Sequence, residues 1–243
     1  FKGQQQNILL MKNLKVESII LAVGLLLMGL FIKQGLDAFA SRDRVVNVKG
    51  LAEMEVPADK VTWPLMYKCI GNDLQSLYQD IKTKNQIILD YLKQNGLEDK
   101  EMSINAPEII DMNAERYNST PSPYRYNVTS VITVTSNKVD LVRKLISEQG
   151  ELLKKGIAIS GGDYRYNVGY EFTSLNEVKP QMIEEATKNA RKAAEKFAKD
   201  SDSELGKIKH AYQGQFSIEN RDANTPYIKR IRVVTTIDYS LED

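Results

Sequence analysis

Few side chains in this sequence have the chemistry of a catalytic or metal site. His210 is the single histidine and Cys69 the single cysteine among 243 residues. Histidine can act as a general base or a metal ligand near neutral pH, but His210 lies among apolar strand residues with no neighbouring carboxylate cluster. Cys69 falls on the apolar side of a predicted strand, where a buried structural thiol is favoured over a reactive one. One thiol also excludes an internal disulfide and a paired thiolate zinc site.

Phosphate and nucleic-acid chemistry are not indicated either. The stretch Gly161-Gly162-Asp163 matches neither GxxxxGK[ST] nor GxGxxG, and its glycines are interpreted as backbone geometry. Thirty-three basic and 32 acidic residues leave a net charge of +1, so no global field attracts nucleic acid. We therefore expect no catalytic residues, no cofactor, no metal and no nucleic-acid partner, and we predict that the chain is not an enzyme.

The five residues YRYNV occur twice, at 124–128 and at 164–168. In both copies the tyrosines alternate in phase with later apolar residues, so both copies are predicted to lie on sheet strands. Tyrosine suits interfaces because it combines a large apolar body with a polar tip. The candidate interface residues are Tyr124, Tyr126, Tyr164 and Tyr166. Alternatively, they line a groove for a small ligand or an envelope polymer.

An uninterrupted apolar run extends from Ile19 to Ile32. Its helix would rise roughly 21 Å, short of the roughly 30 Å hydrocarbon core of a bilayer. Apolar residues on both sides extend the surface, and Lys33 can snorkel to the headgroups. We therefore predict a transmembrane anchor over 15–40, after a cytoplasmic tail over 1–14. The anchor residues are Ile19, Leu25, Leu26, Leu27, Phe31 and Ile32.

A cleaved signal peptide is the alternative for this segment. Ala38-Phe39-Ala40 is an A-x-A sequence of the kind that a signal peptidase accepts, although polar residues crowd the region before it. Both interpretations export the chain beyond residue 40. We favour the retained anchor, and we therefore expect a single-pass protein of the cytoplasmic membrane with its C-terminal domain outside the cytoplasm. Met11 resembles a natural start, which would make residues 1–10 a tag or upstream sequence.

Beyond residue 44 the apolar periodicity predicts the order ββαββαβαββ. Strands at 45–56 and 61–69 are expected to form a hairpin around Pro57-Ala58-Asp59, because this tripeptide has turn chemistry. A helix is predicted to begin after Asp73 and to end at Asn95-Gly96. The pattern is typical of an α+β fold, in which about three helices pack on a mainly antiparallel sheet.

The second half of the chain continues this pattern. A helix over 139–153 is predicted to bury Leu153, and a strand over 157–173 needs a bulge at Gly161-Gly162 to correct its phase. A longer helix over 175–200 carries small alanines that indicate close packing, together with Phe197 on the same face. In the strand after this helix, Ile208, His210 and Tyr212 are expected to share one face.

Three ordered stretches carry a family resemblance: VVNVKGLAEMEVPADKV at 45–61, GIAISGG at 156–162 and EEATKNARKAAEKFAKDSDSELGKI at 184–208. With them the chain resembles the SIMPL-domain family of exported bacterial proteins, which includes the periplasmic immunogenic protein and the oxidative-stress-defence proteins. Gly50, Val56, Pro57 and Asp59 occupy the places of the family's first motif, and Gly206, Lys207 and Ile208 those of its last.

The resemblance covers roughly residues 44–240, which we take as one exported domain. It implies an α+β module that assembles into ring-like or channel-like homo-oligomers outside the cytoplasmic membrane, without catalytic residues to carry over. We therefore expect a membrane-anchored protein that self-associates and has a structural or envelope-stress role, including tolerance of oxidative stress. Its expected partners are copies of itself and membrane lipid, the latter through the N-terminal helix. A binding module for a small ligand or envelope polymer is the alternative.

Overall fold

A computed structural model of the chain describes residues 2–40, 44–114, 123–161 and 163–242, with side chains of the first helix described over 17–36. The helices are α1 (Lys2–Ala40), α2 (Leu74–Gln94), α3 (Val139–Ser147), α4 (Gly150–Lys154) and α5 (Leu175–Asp200). The strands are β1 (Val45–Pro57), β2 (Lys60–Gly71), β3 (Met102–Ile104), β4 (Glu108–Asp111), β5 (Tyr126–Ser136), β6 (Gly169–Glu171), β7 (Glu204–Gln213), β8 (Ser217–Asn220) and β9 (Ile228–Glu242). The predicted α+β class is confirmed, and among the described residues the antiparallel sheets do not close into a barrel.

The chain divides into two compact units. One contains residues 1–52, 181–215 and 233–243, and the other contains 53–180 and 216–232. Strands β1 and β9 and helix α5 each contribute residues to both units. Each unit is therefore built from segments that are distant along the chain.

In the second unit, a five-stranded sheet has the order β3-β5-β2-β6, with β4 also paired to β5. The long β2–β5 pairing places Trp63 opposite Val134, Leu65 opposite Ile132 and Cys69 opposite Val128. Because successive strand residues alternate between faces, these side chains all reach one side of the sheet, and all are buried. The shared face predicted for these apolar residues is therefore confirmed, although Thr129 and Val131 on the other face of β5 are buried as well.

Helix α2 covers the buried side of this sheet. The Asp73 side chain accepts a hydrogen bond from the Ser76 amide at 2.7 Å, as expected for an N-cap. The helix ends before Gly96, whose φ of +95° suits glycine. Leu77, Ile88 and Leu92 point into the core, so the predicted amphipathic helix and both its boundaries are confirmed.

In the first unit, helix α5 approaches β1 very closely. Its buried positions recur every four residues as Met182, Ala186, Ala190, Ala194 and Ala198. A Cβ added to Gly50 of β1 would overlap the backbone of α5 and lie 2.8 Å from the Ala190 Cβ. The alanine row and the glycine are therefore complementary parts of one contact, which confirms the close packing predicted from the small residues.

The predicted hairpin between the first two strands is wrong. Strand β1 pairs with β9 in a four-stranded sheet of order β1-β9-β7, in which β8 also pairs with β9, whereas β2 belongs to the five-stranded sheet. At the connection, the Ala58 amide donates to the Tyr227 carbonyl at 2.8 Å and the Asp59 amide donates to the Glu171 carbonyl at 3.0 Å. These bonds to two other segments hold the chain where it passes from one sheet to the other.

The strand predicted over 157–173 is also wrong, and with it the strand position of the second YRYNV copy. Only Gly169–Glu171 forms a strand, and Tyr164–Tyr166 form a 3₁₀ turn. The Asp163 carboxylate accepts from the Arg165 amide at 3.0 Å and binds the Arg165 guanidinium, which closes the turn locally. The bulge proposed at Gly161-Gly162 involves Gly162, which lies outside the described residues, as do residues 115–122 of the loop predicted at 113–123.

Three side-chain predictions are wrong, each for a different reason. The helix over 139–153 breaks before Gly150, so Leu152 is buried and Leu153 is exposed. Phe197 is 59% exposed because the buried row of α5 follows a strict four-residue spacing. A register shift in β7 between Ile208 and His210 places these two side chains on opposite faces.

Helix α1 contains the apolar segment. Its window Glu17–Leu36 has a mean hydropathy of 2.1 and none of it is buried. By length and composition this helix can cross a membrane, and it fits either a membrane anchor or a signal peptide. All six predicted anchor residues lie in this window and are exposed.

Replacing Gly50 by alanine should destabilise the first unit. The new methyl group would overlap the backbone of α5, and overpacking of this kind costs about 1–3 kcal/mol. We expect a lower midpoint of urea unfolding for Gly50→Ala in the same detergent. Gly150→Ala is the matched control, because a Cβ at that position meets nothing within 4 Å. Equal midpoints for the two variants would contradict the close contact.

Asp59 should make a pH-dependent contribution to stability. Partial burial tends to raise its pKa, but hydrogen bonds from Thr173 and Ser174 outweigh this effect and hold the pKa below its ordinary value of 3.8. A group with a lowered folded-state pKa stabilises the protein above the unfolded-state pKa, and this contribution disappears as the pH falls through the folded-state pKa.

We expect Asp59→Ala to lower the free energy of unfolding by about 1 kcal/mol at pH 7, the typical loss for a side chain that caps backbone amides. The difference from the unmodified protein should shrink as the pH falls below 3.8. Glu185→Ala, on the exposed face of α5, is the control. A difference that is the same at neutral and acidic pH would exclude the ionised carboxylate as its cause.

Candidate functional site

The two residues with the most reactive side chains, His210 and Cys69, belong to different units. The side chain of His210 is 84% exposed on β7, with Nδ1 3.7 Å from the Asp238 carboxylate. Cys69 is buried, as expected, with its Sγ 3.3 Å from Asp80 Oδ2 and 3.4 Å from Lys84 Nζ. Burial raises the pKa of the Cys69 thiol, and the neighbouring Asp80 acts in the same direction. This arrangement favours a neutral thiol with a structural role.

The four candidate tyrosines have different environments. Tyr126 begins β5 and packs, partly buried, against the core, while Tyr124 just before it is 44% exposed. In the 3₁₀ turn, Tyr164 is 83% exposed and lines an open cleft with Lys68, whereas Tyr166 is half-buried.

The two YRYNV copies nevertheless share one local arrangement. Arg125 binds Asp111 at 2.9 Å and lies over the Tyr126 ring, with its guanidinium carbon 4.9 Å from the ring centroid. Arg165 binds Asp163 at 2.9 Å and lies over the Tyr166 ring at 5.3 Å. In both copies the arginine bonds hold the pKa of the paired carboxyl below its usual range. The repeated sequence thus specifies an aspartate–arginine–tyrosine stack, once at a strand and once at a turn.

Strand β4 connects these two stacks. Its last residue, Asp111, is the partner of Arg125, and its first residue, Glu108, lies 3.7 Å from Arg165. The stacks are exposed ion pairs of the kind that adds little to stability. They hold the two arginine side chains against β4. Because the arginines and carboxylates of the stacks are already paired with each other, the described residues beside β4 include no two free ionisable groups that converge.

An apolar groove lies between α2 and strands β3, β4 and β5, and we call it the α2 groove. Its cavity has a volume of about 380 Å³. Leu74, Tyr78 and Leu89 of α2 face Ile104 and Ile109 across it. Four of these five side chains are more than 40% exposed, which is unusual for such a contiguous set of apolar residues. None of the four candidate tyrosines lines this groove.

A polar group lies at the floor of the α2 groove. Asn85 is 8% exposed, and its Oδ1 accepts hydrogen bonds from the Tyr67 hydroxyl at 2.9 Å and from the Ser130 hydroxyl at 3.2 Å. The Tyr67 hydroxyl also lies 3.1 Å from the Ile81 carbonyl oxygen, and no described residue accepts a hydrogen bond from the Asn85 Nδ2 group. The floor therefore offers hydrogen-bond donors beneath apolar walls.

The sequence contained a signal for this floor that periodicity alone does not use. Asn85 lies on the buried stripe of α2 between Ile81 and Ile88, and a buried asparagine requires partners. The same stripe includes Leu74 and Tyr78, which the helical spacing assigns to the core but which the structure leaves exposed at the groove. The apolar face of α2 is thus wider than the part that the core buries, and this excess width indicates the groove.

Strand β7 forms a second unusual surface. It lies at one end of the sheet order β1-β9-β7, and most of its residues are exposed where alternation between buried and exposed positions would be expected. Ile208 is 51% and Tyr212 69% exposed. The Gly214 amide donates to the Val234 carbonyl at 2.8 Å, so by alternation the amides of Ala211 and Gln213 point away from β9. We call this surface the β7 edge.

Metal binding has no support in the described ranges, where no three His, Cys, Asp or Glu side chains are grouped so as to hold an ion. The features that stand out there are the α2 groove and the β7 edge, together with the apolar helix α1. Both surfaces are suited to binding, through apolar contact in one case and through strand pairing in the other.

Comparison with known proteins agrees with this architecture. A search of curated proteins finds no match to the chain. A family model described as "SIMPL: Protein of unknown function (DUF541)" matches residues 46–234, which include both surfaces and exclude α1. Proteins of this family are extracytoplasmic. The match covers most of the chain, and the protein therefore belongs to the SIMPL family.

Proposed function

We propose that this protein is a membrane-anchored, extracytoplasmic module that self-associates and acts through its assembled form, without catalysis. The observation that carries this proposal is the β7 edge, a strand that is mostly exposed on both faces and that has no strand paired to its outer side within the described residues. Edge strands with free amides are templates for pairing with another chain. Membership of the SIMPL family supports an extracytoplasmic location for the module.

Strand addition gives a physical route to a homo-oligomer. The sheet has β7 at one side and β1 at the other, and on β1 the Leu51 carbonyl already accepts a hydrogen bond from Asn189 at 2.8 Å. The β7 edge is thus the less protected of the two. Pairing of unlike edges between copies is head-to-tail, and such contacts produce rings when the rotation closes. Exposed Ile208 and Tyr212 would add apolar contact to the backbone hydrogen bonds.

The anchor completes the proposal. Helix α1 would hold the assembly at the outer face of the bacterial cytoplasmic membrane, with the N-terminus inside. A tethered ring or channel-like assembly suits a structural role in the envelope, including tolerance of oxidative stress. Because the buried thiol and the single exposed histidine do not converge on a reaction centre, we assign this role to assembly rather than to an enzymatic reaction.

The alternative function is a binding module with a tyrosine-lined groove. Its support is the strong exposure of Tyr164 beside Lys68 in an open cleft. Assembly is the preferred function because the β7 edge leaves backbone hydrogen-bonding groups without a strand partner in the described part of the sheet, whereas the cleft is shallow and mostly polar.

A retained anchor predicts an uncleaved protein. When the chain is expressed in bacteria and extracted from the membrane fraction, its intact mass should include residues up to and beyond Ala40. Extraction should require detergent and should fail in alkaline carbonate, because a spanning helix inserts almost irreversibly. A mature N-terminus immediately after Ala38-Phe39-Ala40, with release of the protein into the soluble fraction, would instead establish the signal peptide.

The oligomer should depend on the β7 edge. We expect the unmodified protein to be an oligomer by light scattering in detergent at micromolar concentration. Ala211→Pro removes an outward-pointing amide while leaving the β7–β9 hydrogen bonds intact, so it should shift the protein to smaller species without lowering its melting temperature. Ala211→Thr keeps the amide and is the matched control. A monomeric unmodified protein would refute self-association, and an unaffected oligomer in Ala211→Pro would refute this route to it.

A further inference from the structure

The rim of the α2 groove is positively charged, a property that is independent of its apolar walls. None of the described side chains that line the groove is acidic, although 32 acidic residues occur in the chain. Lys82 lies at its rim on α2, and within the described residues its ammonium group has no carboxylate partner. The neighbouring Lys84 differs, because it is bound to Asp80 at 2.7 Å. The groove is therefore apolar with a positive rim.

The polar groups inside the groove also favour an anionic ligand. Asn85 and Asn105 each use their Oδ1 atom to accept a hydrogen bond, from Tyr67 and Ser130 in one case and from Thr133 in the other. Each amide therefore retains N–H donors. Among the described residues, the buried side-chain atoms without a hydrogen-bond partner are Asn127 Oδ1 and Thr235 Oγ1. The Asn85 nitrogen is not one of them, so it is not enclosed in the core. It remains accessible from the groove that Asn85 lines.

We propose that the α2 groove binds a long-chain fatty acid. The alkyl chain would lie between the leucine and isoleucine side chains of α2, β3 and β4. The carboxylate would accept hydrogen bonds from the amide of Asn85 or Asn105 and would be neutralised by Lys82. Such a ligand matches both properties of the site, since apolar walls favour a hydrocarbon chain, and amide donors near the Lys82 ammonium group favour an anion.

The dimensions of the groove favour this occupant over a protein segment. Its cavity of about 380 Å³ is within the range of small-molecule sites, whereas a docked helix needs a longer row of apolar anchors. The buried position of Asn85 also favours a small ligand, because only a group that enters the groove can use its amide. This site is separate from the β7 edge, so it can be tested independently of self-association.

The test uses the full chain transferred from detergent to amphipol, because detergent would compete for the groove. The probe is cis-parinaric acid, a fatty acid whose fluorescence increases in an apolar site. We expect saturable binding of one probe per chain, displacement by hexadecanoate, and at least about tenfold weaker displacement by hexadecanol, which lacks the charge.

Two pairs of variants separate the walls from the charge. Ile109→Arg places a cation among the walls and should abolish binding, whereas Leu153→Arg, at a similarly exposed site outside the groove, should not. Lys82→Glu should weaken hexadecanoate binding by about tenfold and leave hexadecanol unchanged, since it reverses one charge at the rim. Lys192→Glu, on the exposed face of α5, is its control.

A third variant tests the floor. Asn85→Asp keeps an acceptor for Tyr67 and Ser130 but replaces the amide donor by a second oxygen, so it should weaken hexadecanoate binding more than hexadecanol binding. Its melting temperature must be measured alongside, because a buried charge can destabilise the fold. The surface variant Lys82→Glu keeps the test decisive if Asn85→Asp does not fold.

The proposal is overturned if the unmodified protein shows no saturable binding, or if Ile109→Arg binds the probe as well as Leu153→Arg does. It is also overturned if hexadecanol competes as well as hexadecanoate. Finally, hydrogen exchange could show that α2 and β4 become protected as the protein concentration rises, with no effect of hexadecanoate. In that case a second copy of the chain would occupy the groove and the fatty-acid site would not exist.

Discussion

The antiparallel pairing of β2 with β5 is the constraint on which the second unit depends. It extends from the Val61–Ser136 pair to the Gly71–Tyr126 pair, and it brings the apolar faces of both strands to the same side of the sheet. Strands β3 and β4 pair only with β5, so their positions follow from it. The same register places Tyr67 opposite Ser130, and these two hydroxyls orient Asn85. A shift of one residue would turn every buried side chain of β2 to the opposite face.

The β7 edge and the α2 groove differ in what they leave unsatisfied. At the β7 edge, the backbone has no strand on its outer side within the described residues, and hydrogen bonding is the interaction that remains available. In the α2 groove, apolar side chains are incompletely covered. One surface therefore suits another strand, and the other suits a small apolar ligand.

Sequence periodicity was reliable where a single strong pattern continued without interruption. The alternation of Trp63, Leu65 and Cys69 survives in β2, and the Asp73 cap and Asn95-Gly96 stop delimit α2, because each feature depends on local geometry. It was misleading at Tyr164 and Tyr166, where the contact between Asp163 and Arg165 closes a turn although the sequence alternates like a strand. It also failed for Ile208 and His210, because a register shift in β7 depends on the partner strand β9.

By itself, the sequence determined the family, the α+β class and the apolar helix that can cross a membrane. These depend on composition, on periodicity and on motif residues such as Gly50 and Asp59. Only the tertiary structure decided that Gly50 lies against the α5 backbone, that β1 and β2 belong to different sheets, and that Asn85 forms the floor of a groove. The physical reason is that strand partners and buried donors are chosen by residues distant along the chain, and a local pattern contains no record of which residues those are.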